Sequence, residues 1–419
     1  MRLLLIVLAF YFTLPVFGQT EKAKYLSLQE GLSSQQVIDI ATDKYGFVWV
    51  GTELGLNRFA SNSFKQYYKT ENADGLSVNS NEINTLLCDQ DKLYIGTRAN
   101  GLNILDLKTN TFSYFLHDPN DQTSIATNDI TDIIKSKTGK LWMATYHRGV
   151  QRFDPIKKKF ERFDKTNVPT LAENSIWTLA EDHSGLLYIG HVYKGVSIFN
   201  PKDKSVTLIN KESTNGLMPD NEVKSIFCDS KNNIWIGTRK GLAVYNHFTK
   251  TTKRVILANK SKKRDEPFVH SIKEINGAIW VGTESAQLFI IEPIYNSSGD
   301  FLRTAHTAVD YLGTGNHTSV QNINLDHFGN VWLAIYGGGI AFFGHSKPFF
   351  TVVPTKDINP GENIPATVTG ILHDNANSMW LATAGDGILK VNPDHKVTKI
   401  TMDNSGIGDD FLLSFNSKT

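Results

Sequence analysis

A four-residue phrase recurs eight times along this chain and restricts what it can fold into. It reads WVGT at 49–52, YIGT at 94–97, WMAT at 142–145, YIGH at 188–191, WIGT at 235–238, WVGT at 280–283, WLAI at 332–335 and WLAT at 380–383. The leading aromatics are Trp49, Tyr94, Trp142, Tyr188, Trp235, Trp280, Trp332 and Trp380, spaced by 45, 48, 46, 47, 45, 52 and 48 residues. A fixed period of this length marks an array of supersecondary units, none of which buries its apolar face alone.

The same grammar surrounds each aromatic. A run such as VIDIATD (37–43) or VKSIFCD (223–229) comes first, with the loose alternation of a half-buried strand. A polar turn rich in Asp, Asn and Gly follows, suited to a tight hairpin. The aromatic phrase is the second strand. A short turn then leads to Gly plus an aliphatic residue, as in Gly101-Leu102 or Gly241-Leu242, which opens a third strand. A fourth run often carries aromatics, as in FSYFL at 112–116. Four short strands per period predict a β-propeller blade, and the chain is expected to be all-β. No run after residue 20 has the length and 3.6 period of a helical repeat. The repeated Trp and Tyr are expected to pack between blades. The Gly or Ala two places after each aromatic points to close approach near the propeller axis.

Seven blades are the expected ring, over 19–345. Lys24-Tyr25-Leu26-Ser27-Leu28 reads as a fourth strand without its first three and would complete blade 7, leaving no open edge. Residues 346–419 would then be an eighth repeat and the start of a ninth, a fragment of a second propeller. A single eight-bladed ring is the alternative. Arg2 followed by an apolar run from Leu3 to Phe17 reads as a signal peptide over 1–18, so the mature chain is expected to be periplasmic or extracellular, with no other membrane span. The two cysteines, Cys88 and Cys228, lie three blades apart, too far for a disulfide. A net charge of +1 gives no field for nucleic acid, and the Lys260–Arg264 cluster reads as a solvated loop.

The pattern resembles the two-component regulator propeller repeat, most clearly in DKYGFVWVGTELGLNRF (43–59), SKTGKLWMATYHRGVQRFDP (136–155) and DSKNNIWIGTRKGLAVYN (229–246). The resemblance implies an exported sensor. In that family two propellers and an immunoglobulin-like domain precede a membrane helix and a histidine kinase. Such systems commonly sense oligosaccharides from glycan breakdown, and homodimers are implied for the full-length proteins. The downstream parts are not found before Thr419, so a truncated sensor with no signalling output of its own is expected.

No catalytic constellation stands out. H-E-x-x-H, G-x-S-x-G, a phosphate-binding glycine loop and C-x-x-C are all missing from the sequence. The twelve histidines are scattered. One Asp per hairpin (Asp43, Asp89, Asp182, Asp229, Asp326) reads as an Asx-type turn rather than calcium ligation, which needs convergent oxygens. No metal or cofactor is expected. The turns between second and third strands share one face with the links between repeats. They supply the candidate ligand site: Arg98, Asn100, Tyr146, His147, Arg148, Tyr193, Lys194, Arg239, Lys240 and Tyr336. Tyr stacks on sugar faces and Arg clamps carboxylate or sulfate, so an oligosaccharide, including an acidic one, is the expected partner. Two other readings stay open: a polysaccharide lyase or hydrolase with Tyr146 or His147 as base beside Arg148 or Lys194, and a protein-interaction scaffold.

Overall fold

The computed structural model describes residues 23–60, 62–70, 75–257, 266–284, 287–297, 299–309, 318–344, 367–374, 376, 378–392 and 396–414. Among these the strands form eight four-stranded antiparallel sheets. The chain divides into two compact units, 1–346 and 347–419. The expected leader and the Lys260–Arg264 loop lie outside the described residues.

The first unit holds seven blades. Their first strands are Val37–Thr42, Ile83–Asp89, Ile130–Lys135, Ile176–Glu181, Val223–Cys228, Val269–Ile275 and Ser319–Leu325. Each packs on the first strand of the next blade, and the last packs on Val37–Thr42, so these seven strands form a closed circuit. The eighth sheet belongs to the second unit. Blade 7 takes its fourth strand from the N-terminus: β1 (Lys24–Leu26) pairs antiparallel with Gly339–Phe343. The strand ends at Leu26 rather than Leu28, because Ser27 caps a single 3₁₀ turn and exchanges hydrogen bonds with Glu30. At the closure, the backbone N–H groups of Gly337 and Gly339 both donate to the Gln35 carbonyl, at 3.0 and 3.2 Å. Gly339 sits at φ +76°, and a Cβ there would lie 2.5 Å from the Leu26 carbonyl oxygen.

The core lies between blades. Trp49, Tyr67, Ile83, Leu93 and Phe112 form one cluster across blades 1 and 2; Trp235, Val244, Val269, Phe289 and Phe301 form another across blades 5 and 6. The Asp of the first hairpin explains the spacing of the repeat. In blade 5, Asp229 Oδ1 accepts from the Lys231 and Asn233 N–H groups, closing the turn, while Oδ2 accepts the Trp235 indole N–H at 2.8 Å. Asp43, Asp326 and Asp374 hold Trp49, Trp332 and Trp380 the same way, each six residues ahead of its Trp. The small residue of the phrase is needed where first strands crowd. A Cβ on Gly237 would lie 2.3 Å from Ser225 Oγ of its own blade and 2.6 Å from Val269 Cγ1 of the next.

The second unit contains one sheet, with strands Val368–His373, Met379–Thr383, Ile388–Val391 and Val397–Ile400. After it, the Asp410 carbonyl accepts from Gly385 and Gly387, and Leu412 N–H donates to Thr383. This repeats the link between consecutive blades, where Gly149 donates to Asn174 and Gly195 to Asn221.

Candidate functional site

The face carrying the turns between second and third strands also carries the links between blades, and the links are acidic. Arg239 Nη1 reaches Glu222 at 3.0 Å and Lys240 Nζ reaches Asp220 at 3.6 Å. Arg98 Nε lies 3.8 Å from Glu82, and the Tyr336 hydroxyl donates to Glu53 at 3.1 Å. These side chains are therefore paired within the rim. The Asn100 carbonyl accepts from Asn79 Nδ2, and the exposed Tyr193 is tied through its backbone N–H to Glu173. Arg148 and Lys194, on adjacent blades, are exposed.

Tyr146 and His147 are brought together. Their rings lie 3.9 Å apart, and His147, at φ +75°, shares a 2.8 Å hydrogen bond between Nδ1 and Ser175 Oγ. Tyr146 also packs against Trp177, tilted by 39° with ring centres 5.7 Å apart, and the ammonium of Lys224, on the blade after that of Trp177, sits 4.1 Å from the Trp177 ring centre. Trp177 and Lys224 were not among the residues expected from the sequence.

They belong to an axial channel of about 400 Å³ lined by all seven first strands. A β-bulge places them there. In every blade the register of the first strand against the second skips one residue, between Val37 and Asp39, Ile83 and Thr85, Ile130 and Asp132, Ile176 and Thr178, Val223 and Ser225, Val269 and Ser271, and Val320 and Asn322. A bulge re-aims the side chain of the extra residue. The residues skipped are Ile38, Asn84, Thr131, Trp177, Lys224, His270 and Gln321, and all line the channel.

The same bulges tie neighbouring first strands, which share no backbone ladder. Asp39 accepts the Leu86 N–H at 2.7 Å, and Asp132 accepts the Leu179 N–H at 2.8 Å. Thr131 Oγ1 donates to the Ile176 carbonyl, and Ser271 Oγ to that of Val320. Burial pushes the Asp39 carboxyl up to about 7 and Asp132 up to about 6, against the pull of these N–H donors. Burial also lowers the Lys224 and Lys273 ammonium groups, against the pull of the Asp132 and Asp39 charges respectively, and brings His270 down to about 4.

A stability dependence follows. A carboxyl with a raised folded pKa holds its proton more tightly folded than unfolded, so its contribution is greatest below about pH 4 and declines up to about pH 7. Asp39→Thr, matching Thr85 of blade 2, removes that titration. Denaturant unfolding is expected to show the native protein losing stability relative to this variant between pH 5 and pH 7.5. A pH-independent difference would contradict the assignment.

The two cysteines are free and half-buried, and burial pushes the Cys228 thiol up to about 12. Among the described residues no group of three or more His, Cys, Asp or Glu is placed to hold a metal, and no helix is long and apolar enough to cross a membrane.

Fold and repeat together define an all-β protein of four-stranded propeller blades. The model for the two component regulator propeller matches residues 31–53 and 217–240, which span the link, first strand, hairpin and aromatic phrase of repeats 1 and 5. The chain is similar to the extracellular domain of a putative hybrid two component system from B. thetaiotaomicron, at 32% identity and a TM-score of 0.65, over 90% of this chain and 49% of that one. It thus spans about half the length of that solved domain. A stretch of 49 residues, 12% of this chain and 4% of the relative, is 47% identical to a histidine kinase of Formosa agariphila. Virginiamycin B lyase from Staphylococcus aureus shares the fold alone, at 12% identity and a TM-score of 0.54, over 77% of this chain and 98% of the lyase.

Proposed function

We propose that this chain is the non-catalytic, ligand-reading propeller of an exported two-component sensor, and that its ligand is an oligosaccharide released in glycan breakdown. The observation that carries the ligand class is the aromatic group Tyr146, His147 and Trp177, of which Trp177 lines the axial channel of about 400 Å³. Aromatic faces with a few polar groups around them are what a sugar-binding pocket needs. The similarity to an extracellular domain of a hybrid system supports the sensor role and an address outside the cytoplasm. The lyase reading, with Tyr146 or His147 as base beside Arg148 or Lys194, is the outcome that turnover of a uronate polymer would favour.

Isothermal calorimetry against a panel of glycan oligosaccharides tests the proposal; silence across the panel, with turnover of a uronate polymer, would overturn it. Within the rim, Arg148→Ala is expected to weaken binding more than Arg239→Ala, whose guanidinium already has a carboxylate partner. Neither is expected to change stability by more than about 0.5 kcal/mol, since both are exposed. Affinity indifferent to both would move the site away from the rim.

A further inference from the structure

The seven bulged residues differ in how they are satisfied. Asn84 Nδ2 donates to the Ile130 carbonyl at 2.9 Å, Thr131 Oγ1 to Ile176 at 2.7 Å, and Gln321 Nε2 to Ser319 Oγ at 2.6 Å. Ile38 has nothing to satisfy. The remaining three, Trp177, Lys224 and His270, are consecutive around the ring, on blades 4, 5 and 6. The Trp177 indole N–H and His270 Nδ1 are buried without a hydrogen-bond partner. The Lys224 ammonium has the Trp177 ring beside it, yet among the described residues no carboxylate stands within ion-pair distance. Asp132, the acid whose charge it feels most, accepts the Leu179 N–H at its Oδ2.

The chemistry of these groups is one-sided. An indole N–H only donates, an ammonium only donates, and a buried donor without an acceptor is costly. A buried cation is retained where an anion pairs with it. We propose that Trp177, Lys224 and His270 form a binding site for a single carboxylate at the mouth-side end of the axial channel, so that the ligand read by this propeller is an acidic sugar. This rests on the oligosaccharide reading and adds to it: the ring stacks at Tyr146 and Trp177, and the acid group enters the channel. Lys224 Nζ and Trp177 Nε1 donate to the two carboxylate oxygens, and His270 in its Nδ1–H tautomer adds a third donor. The paired rim arginines are then not the acid-binding groups, which are the ones recessed in the channel.

Indole N–H resonances of ¹⁵N-labelled protein test this with galacturonate, galactose and acetate as probes, the Trp177 resonance being identified by its loss in Trp177→Phe. Galacturonate and acetate are expected to shift that resonance saturably, and galactose to leave it in place or to bind more weakly by about tenfold or more, the value of one charge-assisted hydrogen bond. Lys224→Met preserves the side-chain length and is expected to weaken galacturonate by at least the same factor. Trp177→Phe keeps the ring for stacking and removes the N–H, so calorimetry on it should show a loss for galacturonate and little change for galactose. Identical shifts from galactose and galacturonate, equal affinity in Lys224→Met, or no shift with either acid would overturn the carboxylate site. If neutral oligosaccharides bind with Lys224 irrelevant, the site fails and the sensor reading stands. If acetate binds through Lys224 but no oligosaccharide binds, the site stands and the sugar reading fails.

Discussion

Asp229→Ala is expected to destabilise the propeller by about 3–5 kcal/mol, as much as removing the indole it supports. Asp229 is fully buried, and its two oxygens serve five donors. Oδ1 closes the hairpin through Lys231 and Asn233, and Oδ2 takes the Trp235 indole N–H and, from blade 6, the Tyr295 hydroxyl at 2.9 Å. The amide of Asn233 lies 3.3 Å from both. Each buried donor left unsatisfied costs roughly 1–3 kcal/mol, and at least two would be left. Trp235→Ala removes a fully buried ring that packs edge-on against Phe301, and a cavity of that kind costs about 3–5 kcal/mol. The two losses should not add in the double variant, because they share one network. Urea unfolding of both single variants and the double is the measurement. A loss below about 1 kcal/mol for Asp229→Ala, or strict additivity, would contradict this reading of the hairpin. Ser136 occupies the same place in blade 3 and holds only the turn, through the Thr138 N–H, so Asp229→Ser should fall between.

The same residue shows what was legible in advance. The recurrence of Asp six places before Trp was visible, and so was its role as a turn former. Its second bond, to the indole, needed the hairpin to be folded back. Period, blade and closing strand could be read because they depend on contacts within one repeat or on chain ends. The channel could not be read in this way. Each first strand carries two residues that break the alternation, such as Lys224-Ser225 between Val223 and Ile226, or Trp177-Thr178 between Ile176 and Leu179. In one dimension this looks like noise in a strand, whereas in the sheet it is a bulge, repeated in register around an axis. That repetition at a fixed place in the period was the available signal. The pairing of the rim was hidden for a related reason. Counting the turns alone gives a basic face, but Glu82, Asp220 and Glu222 reach it from the links, and they are paired with Arg98, Lys240 and Arg239.

Leu26→Asp is expected to open the ring. Leu26 is 1% exposed and packs with Leu32, Val37, Trp332 and Ile340, so it joins the N-terminal strand to blades 1 and 7 at once. A carboxylate there loses the burial of a leucine and has no partner charge, a combination costing about 4 kcal/mol or more. The consequence reaches beyond local stability. Without β1, the strand Gly339–Phe343 becomes a free edge, with unpaired N–H and C=O groups beside apolar Ile340 and Phe342, and such edges pair with other chains. Light scattering should therefore show self-association of Leu26→Asp, together with a lower melting temperature. Lys24→Ala, at an exposed position in the same strand, should stay monomer-like and within about 0.5 kcal/mol of the native chain. A monodisperse Leu26→Asp with native melting would mean that the junction of Gln35 with Gly337 and Gly339 closes the ring unaided. Because this pairing joins the two ends of the first unit, most of that unit must be in place before the last blade is complete. Folding of the ring should then be slow for its size, with closure as the late step.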